Sequence, residues 1–292
     1  MLVSWKYRPR DTFYQRLDPR ARLIFLFFIL FGVTIPNIWD IRLLLPVFAI
    51  TILLYFMARI EWQDIKRAWI FIIILVVFIV GINGVLSGRG GPTAVVHDTS
   101  TPLYSLPIVI PWLNIDTAIN ITRLRLFFGL TQMVRMLTMA LLALPIPYTM
   151  DPSVYGISFR KLGVSDNISF TLDLAFRFLP TLTRDLGITI DAQRSRGFEV
   201  DELKGGLFEK IRRLAPLVIP VTMQSTITGE EVIDAMNMRA FGTTKRTWIT
   251  SLKYKRADFV FIAFSAAIMI SLMIIRWGFG IGEFWIPPVW VQ

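Results

Sequence analysis

Long apolar runs alternate with basic, charged stretches along the chain. Leu23–Ile38, Ile41–Ala58, Trp69–Leu86, Phe127–Leu144 and Phe259–Ile275 are almost wholly hydrophobic. Each approaches the length needed to cross a hydrocarbon core about 30 Å thick. Backbone polar groups cannot stay unpaired in lipid, so the runs are predicted to be helices. Between the fourth and fifth runs the pattern changes to apolar positions on a helical repeat interrupted by charges. Ser165 or Asp166 is the predicted start of a long helix ending near Arg196, with Ile168, Leu172, Ala175, Phe178, Leu179, Leu182, Leu186 and Ile190 as its apolar residues. Pro180 is expected to bend it. After Gly205-Gly206 a second helix is predicted from Leu207 to Arg239, carrying Leu214, Leu217, Val218 and Val221 and with Gly229 as a possible break. A shorter helix, capped by Asp151 or Ser153, is expected after Pro145-Ile146-Pro147 ends the fourth span.

This organisation divides the chain into three parts. Residues 1–145 form a membrane region with four spans, 146–256 a coupling-helix region, and 257–292 a last span with its tail. The fold class is an all-α integral membrane protein with five transmembrane helices and long amphipathic helices on the cytoplasmic side. Composition agrees, with 54% hydrophobic residues and 23 Phe in 292 residues, above the share usual for soluble chains. Residues Leu106–Trp112 are β-like, as a surface hairpin or an interfacial patch.

The net charge of +10 is unevenly distributed. Lys6, Arg8, Arg10, Arg16, Arg20 and Arg22 crowd the N-terminal arm, Arg59, Lys66 and Arg67 the second turn, and sixteen Lys and Arg the segment 146–256. The segment 87–117 carries Arg89 alone, and no Lys or Arg follows Arg276. The positive-inside rule therefore predicts a cytoplasmic N-terminus and 146–256 segment, with the C-terminus outside a multi-pass cell membrane. Arg42 is a minor counter-signal. The basic excess thus reads as topology, and no motif for nucleic acid accompanies it. The N-terminus is too charged for a cleavable signal peptide.

Candidate chemistry is sparse. There is no cysteine and one histidine, His97, which excludes disulfides, thiolate metal sites and histidine-rich catalysis. No phosphate-binding G-x-x-x-x-G-K-[ST] occurs, nor HExxH or GxSxG. No paired Asp-x-x-x-Asp cluster lies in or near a span, which disfavours a lipid-modifying enzyme. A self-contained secondary carrier would call for substrate groups at mid-membrane, and the spans are poor in acids. Arg135 is the conspicuous intramembrane charge, directed to the bundle interior, a lipid headgroup or another subunit.

What stands out instead is a repeat. Asp191-Ala192-Gln193-Arg194-Ser195-Arg196-Gly197-Phe198 and Asp234-Ala235-Met236-Asn237-Met238-Arg239-Ala240-Phe241 share Asp-Ala-x-x-x-Arg-small-Phe. Each copy sits where an amphipathic helix should end, with Arg in the last turn and a small residue where the chain leaves the helix. Arg beside an aromatic residue is typical of interface anchors. A paired device suggests docking to a paired partner.

These residues resemble a known family, the transmembrane T component of energy-coupling factor vitamin and metal transporters, which includes the cobalt-transport permease subunit. The resemblance covers nearly the whole chain. It rests on Leu17-Asp18-Pro19-Arg20-Ala21-Arg22-Leu23 at the first span and on Ala175-Phe176-Arg177-Phe178-Leu179-Pro180, like the family's "LRFIP" stretch. It rests also on Ala192–Gly197 and on Glu230-Glu231 through Arg239-Ala240-Phe241-Gly242, which resemble the two coupling motifs. In the second motif Ala240 stands for the usual Gly, and Asn237-Met238 for Glu-Ala. The resemblance implies a non-catalytic subunit of an ABC-type importer taking up a vitamin or transition-metal ion. Its partners would be two ATP-binding-cassette ATPases and a small membrane-embedded substrate-capture protein. It implies that Arg194, Arg196 and Arg239 dock on the ATPases, that Gly197 and Ala240 permit close approach, and that Phe198 and Phe241 fill apolar hollows. Asp191, Ala192, Gln193, Asp234 and Ala235 complete the motifs. Leu172, Phe178, Leu179, Leu182, Leu186, Leu214, Leu217, Val218 and Val221 would face the capture protein. ATP and Mg²⁺ would be bound by the ATPases, with no cofactor or metal on this chain.

Overall fold

The computed structural model describes residues 7–85, 104–110, 115–197, 207–244 and 252–287. Among them the chain is helical except for one antiparallel hairpin. Two compact units divide it, one of residues 7–150 with 253–292 and one of residues 151–252.

The first unit holds the membrane helices. They are α1 (Phe13–Arg16), α2 (Pro19–Thr34), α3 (Ile41–Met57), α4 (Trp62–Val85), α5 (Arg123–Ala143), α6 (Pro145–Thr149) and α10 (Arg256–Gly278). All five predicted spans are helices. Trp62–Asn83, Arg123–Thr149 and Arg256–Gly278 are long and apolar enough to cross a membrane. Helices α2 and α3 have 16 and 17 residues, about 24–26 Å at 1.5 Å per residue, and supply much of the buried core. β1 (Tyr104–Ile110) pairs with β2 (Ile115–Ile121), Tyr104 opposite Ile121 and Ile110 opposite Ile115. The β-like stretch is thus a hairpin strand that starts two residues earlier than expected.

Helix starts follow their capping residues. Asp18, Asp40 and Thr122 accept the free backbone N–H groups of Arg20, Arg42 and Arg125 at the starts of α2, α3 and α5. Pro145-Ile146-Pro147 does not end the fourth span. Leu144 stays helical and joins α5 to α6, since proline is tolerated in a first turn whose N–H groups need no intrahelical acceptor. The core is built around α2. Ala21, Phe25, Ile29 and Val33 pack with Leu44 and Val47 of α3, Leu142 of α5 and Phe261 and Leu272 of α10. Phe25 and Phe261 stack at 4.7 Å.

Helices α2 and α10 approach closely at Gly32, where an added Cβ would lie 3.1 Å from the Cα of Met269. Small residues at such crossings let membrane helices pack tightly. Gly32→Val is expected to destabilise the unit by about 1–3 kcal/mol through overpacking, read as a lower unfolding temperature in detergent.

Polar groups at the start of α2 are clasped to the start of α10. The Asp258 carboxylate, 1% exposed, accepts the Asp18 backbone N–H at 2.7 Å and the Lys255 backbone N–H at 2.7 Å. Asp18 in turn holds the Arg20 guanidinium at 2.8 and 3.0 Å. That guanidinium stacks 3.7 Å over the Tyr254 ring, and burial raises the Tyr254 phenol above its ordinary pKa while Arg20 opposes the shift. Further along, the Arg135 guanidinium lies 4.5 Å over the Trp39 ring, a cation–π contact within the unit that holds the intramembrane charge against an aromatic face.

The second unit contains a 3₁₀ turn (Pro152–Val154), α7 (Tyr155–Lys161), α8 (Asp166–Ser195) and α9 (Leu207–Met238). Asp151 caps the turn by accepting the Ser153 N–H. Helix α8 starts after Ser165, as predicted. Gly229 makes no break, and α9 runs 32 residues without interruption, a length of about 48 Å. A single glycine costs a helix only about 1 kcal/mol, which so long a packed helix absorbs. Gly156 brings α7 against α8, for a Cβ there would sit 2.6 Å from the Ser169 carbonyl oxygen.

Candidate functional site

The two Arg-small-Phe copies are both helix ends, and the described parts of their backbones match. In the first, Arg196 closes α8 with its N–H on the Gln193 carbonyl at 3.0 Å, and Gly197 donates to Arg194 at 2.9 Å with φ +83°. In the second, Arg239 donates to Met236 at 3.1 Å and Ala240 to Asn237 at 2.9 Å, with Ala240 at φ +54°. Phe241 then donates to Met236 at 3.0 Å, which completes the Schellman pattern of helix termination. Phe198, the counterpart of Phe241, lies outside the described residues.

Ala240 therefore adopts the left-handed conformation that its glycine counterpart adopts freely. A Cβ there costs roughly 1 kcal/mol. Ala240→Gly is expected to recover about that amount, slowing hydrogen exchange at the Phe241 amide about fivefold. Gly197→Ala should loosen the first tip by a similar factor at the Gly197 amide.

The tips are exposed. Asp191, Ala192, Arg194, Ser195, Arg196 and Gly197 all face solvent in the first, as do Asp234, Ala235, Asn237, Met238, Arg239 and Ala240 in the second. Arg194 reaches Asp191 at 3.8 Å, one turn back on its own helix. Arg196 and Arg239 have no ion-pair partner among the described residues. Their charges project from helix C-termini, where the backbone dipole favours a cation. Phe241 is half-engaged: its ring packs 4.8 Å from Phe170 near the start of α8, and it stays 37% exposed.

That ring contact and a second one orient the helix pair. Gln193 Nε2 donates to the Pro216 carbonyl at 3.3 Å. Pro220 has no N–H, so this carbonyl lacks its usual intrahelical donor four residues on; the motif glutamine supplies one. The end of α8 thus meets the proline-bearing first half of α9, and the start of α8 meets the end of α9, so the helices run antiparallel. Gln193 and Phe170 are 23 residues apart, about 35 Å along a straight helix. The two tips stand at opposite ends of the pair.

The apolar stripe differs from expectation in part. Leu172, Phe178, Leu179, Leu182 and Leu186 are half-buried, as is Val221, and Val218 is exposed. Leu217 is 4% exposed and packs within the chain, so it is not on the open face. The Leu214 side chain lies outside the described residues. Ile219, Met223 and Ile227 are exposed at four-residue intervals, with Ile233 and Ile188, and were missing from the predicted stripe. Their i, i+4, i+8 spacing was the available signal; Leu217 at the neighbouring register drew the face half a turn away.

Among the described residues no three His, Asp or Glu side chains gather as a metal site. Membrane helices joined to a separate amphipathic pair, with two matched cationic tips on that pair, define a polytopic membrane protein built to engage other proteins. The chain belongs to the cobalt transport protein family of CbiQ and EcfT, whose model matches residues 10–249. It is 28% identical over 260 residues to the energy-coupling factor transporter transmembrane protein EcfT of Lacticaseibacillus paracasei, an alignment covering 89% of this chain and 92% of that protein. The corresponding proteins of Staphylococcus aureus and Thermotoga maritima are each 25% identical, over 94% and 93% of this chain and 97% and 93% of theirs.

Proposed function

We propose that the chain is the transmembrane coupling subunit of an energy-coupling factor importer in the cell membrane. The segment 151–252 lies on the cytoplasmic side, and two ATP-binding-cassette ATPases dock on the tips at Arg196 and Arg239. One observation supports this reading: two helix ends whose described backbones match, each with an exposed arginine that has no ion-pair partner among the described residues, stand at opposite ends of one antiparallel pair. A single docking partner would need one such tip; a pair of ATPases needs two separated ones.

In this scheme the arginines pair with carboxylates in the ATPase grooves, and the tight helix stops at Gly197 and Ala240 let the backbone approach. ATP and Mg²⁺ are bound and turned over in the ATPases, and their closure displaces the tips relative to each other. The exposed apolar face of α8 and α9 carries the motion to a small membrane protein that captures a vitamin or a metal ion. Energy enters only through contacts that differ between the ATPase states. The Gln193 link to the Pro216 carbonyl makes α9 respond to displacement of the α8 tip. Affinity purification of the full chain from its native membrane tests the assignment. Two ATPase copies and a small membrane protein are expected to accompany it; uptake by the purified chain alone in vesicles would show a self-contained carrier instead.

A further inference from the structure

Two clefts flank the C-terminal end of α3, both within the first unit. One, of about 650 Å³, runs between α3 and the N-terminal arm, with Phe13, Leu53 and Met57 on its walls. The other, of about 460 Å³, runs toward α4 and α5, with Phe48, Trp62, Trp69, Leu137 and Leu141. They share Ile52, Phe56 and Arg59. Phe56, 71% exposed, is the ridge between them, and Arg59 is a cation common to both.

Arg59 is held there against backbone preference. It follows Ala58, the C-cap of α3, at φ +46°, a left-handed position where glycine is the usual occupant. Its N–H closes the helix on the Phe56 carbonyl at 3.1 Å, and its own carbonyl accepts from Arg10 at 3.1 Å. Its side chain is exposed and has no ion-pair partner among the described residues. The nearby acids are already engaged. Asp11, on the wall of the larger cleft, takes both prongs of Arg16 at 2.7 Å, and that pairing holds its carboxyl below the ordinary range. Glu61 pairs with Arg8 at 2.8 Å, and Asp64 with Arg10 at 3.5 Å. Lys66 and Arg67, exposed in the second turn of α4, add positive charge at the same end of the bundle.

We propose that this double cleft binds one anionic diacyl phospholipid. Its phosphate rests on Arg59, and its two acyl chains lie on either side of Phe56. The chemistry is matched at both ends: a cation with no ion-pair partner among the described residues for the headgroup, and two apolar channels for the chains, the second walled by Trp62 and Trp69, residue types that favour the membrane interface. A strained arginine persisting where glycine would fit better marks the side chain, not the backbone, as the reason for the residue.

Arg59→Gly separates the two roles. In the full-length chain in detergent, native mass spectrometry should show phosphatidylglycerol bound in preference to phosphatidylcholine by about fivefold, the weight of one interfacial cation. Lyso-phosphatidylglycerol, with one chain, should be held less well than the diacyl form. Arg59→Gly should erase the headgroup preference while the unfolding temperature stays level or rises. Retention of the preference in Arg59→Gly, or equal binding of the one-chain and two-chain lipids, would overturn the assignment. A photo-crosslinking residue at Phe56 should capture lipid in native membranes; capture of another protein subunit would also overturn it.

Discussion

Arg196→Glu and Arg239→Glu are each expected to disconnect ATP hydrolysis from uptake in the assembled transporter. Both guanidiniums are exposed and lack a partner within the described chain, so neither change removes an internal contact. On the proposed docking, reversing the charge would place a carboxylate against an ATPase carboxylate, and it opposes the dipole of its own helix end. Truncating one member of a buried interfacial charge pair costs about 2–5 kcal/mol, and a reversal should cost at least as much. Transport should fall to background, and the unfolding temperature of the isolated chain should stay near that of the unmodified protein. Arg194→Glu should do less, because Asp191 already occupies that guanidinium in part. Uptake and ATPase activity are measured together in vesicles; unaltered transport in both reversed variants would remove the tips from the mechanism.

Asp258→Ala is expected to produce the largest loss of stability. Its carboxylate accepts two backbone N–H groups, one from the start of α2 and one from the start of α10. Hydrogen bonds to a charged group each contribute about 1.5–3 kcal/mol, and a buried donor left without an acceptor adds its own penalty. A loss of about 3–5 kcal/mol is therefore expected, seen in thermal unfolding in detergent. Asp258→Asn keeps one carbonyl acceptor and should fall between. An unchanged unfolding temperature for the alanine variant would mean that the clasp contributes nothing to holding α2 on α10.

The spans were legible because lipid leaves a chain few options: Leu23–Ile38 and its counterparts had to be helices once they had to cross. The start of α8 was legible from Ser165-Asp166, a local signal; α2 starts at Pro19, four residues before the apolar run that begins at Leu23. What local signals could not provide was the tertiary partner. Nothing in the sequence places Asp258 against an N–H at residue 18, 240 positions away, or pairs Phe241 with Phe170. The prolines at 145 and 147 suggested a stop, because a break and a first helical turn look alike until the next residues are known to be helical. Leu217 and Ile219 lie on different sides of α9, and a mean apolar stripe does not say which side is covered. Ala240 takes positive φ against its intrinsic preference because the Schellman bonds from Ala240 and Phe241 hold it there.

In their described residues the two motifs end their helices in the same way, one with a glycine and one with a strained alanine. This makes the second tip the softer of the two and the first place to look for state-dependent movement. It also makes the pair testable as a pair, because the two stops are at opposite ends of α8 and α9.

The chain contains no cysteine, so single thiols can be introduced without background. With Ser195→Cys at one tip and Asn237→Cys at the other, disulfide or maleimide crosslinking to cysteine-bearing ATPases reads the docking directly. Two-point docking predicts that each thiol captures one ATPase, and that the double variant yields a species carrying two ATPase copies on one chain. Capture of the same single copy by both thiols, or of none at either position, would contradict it.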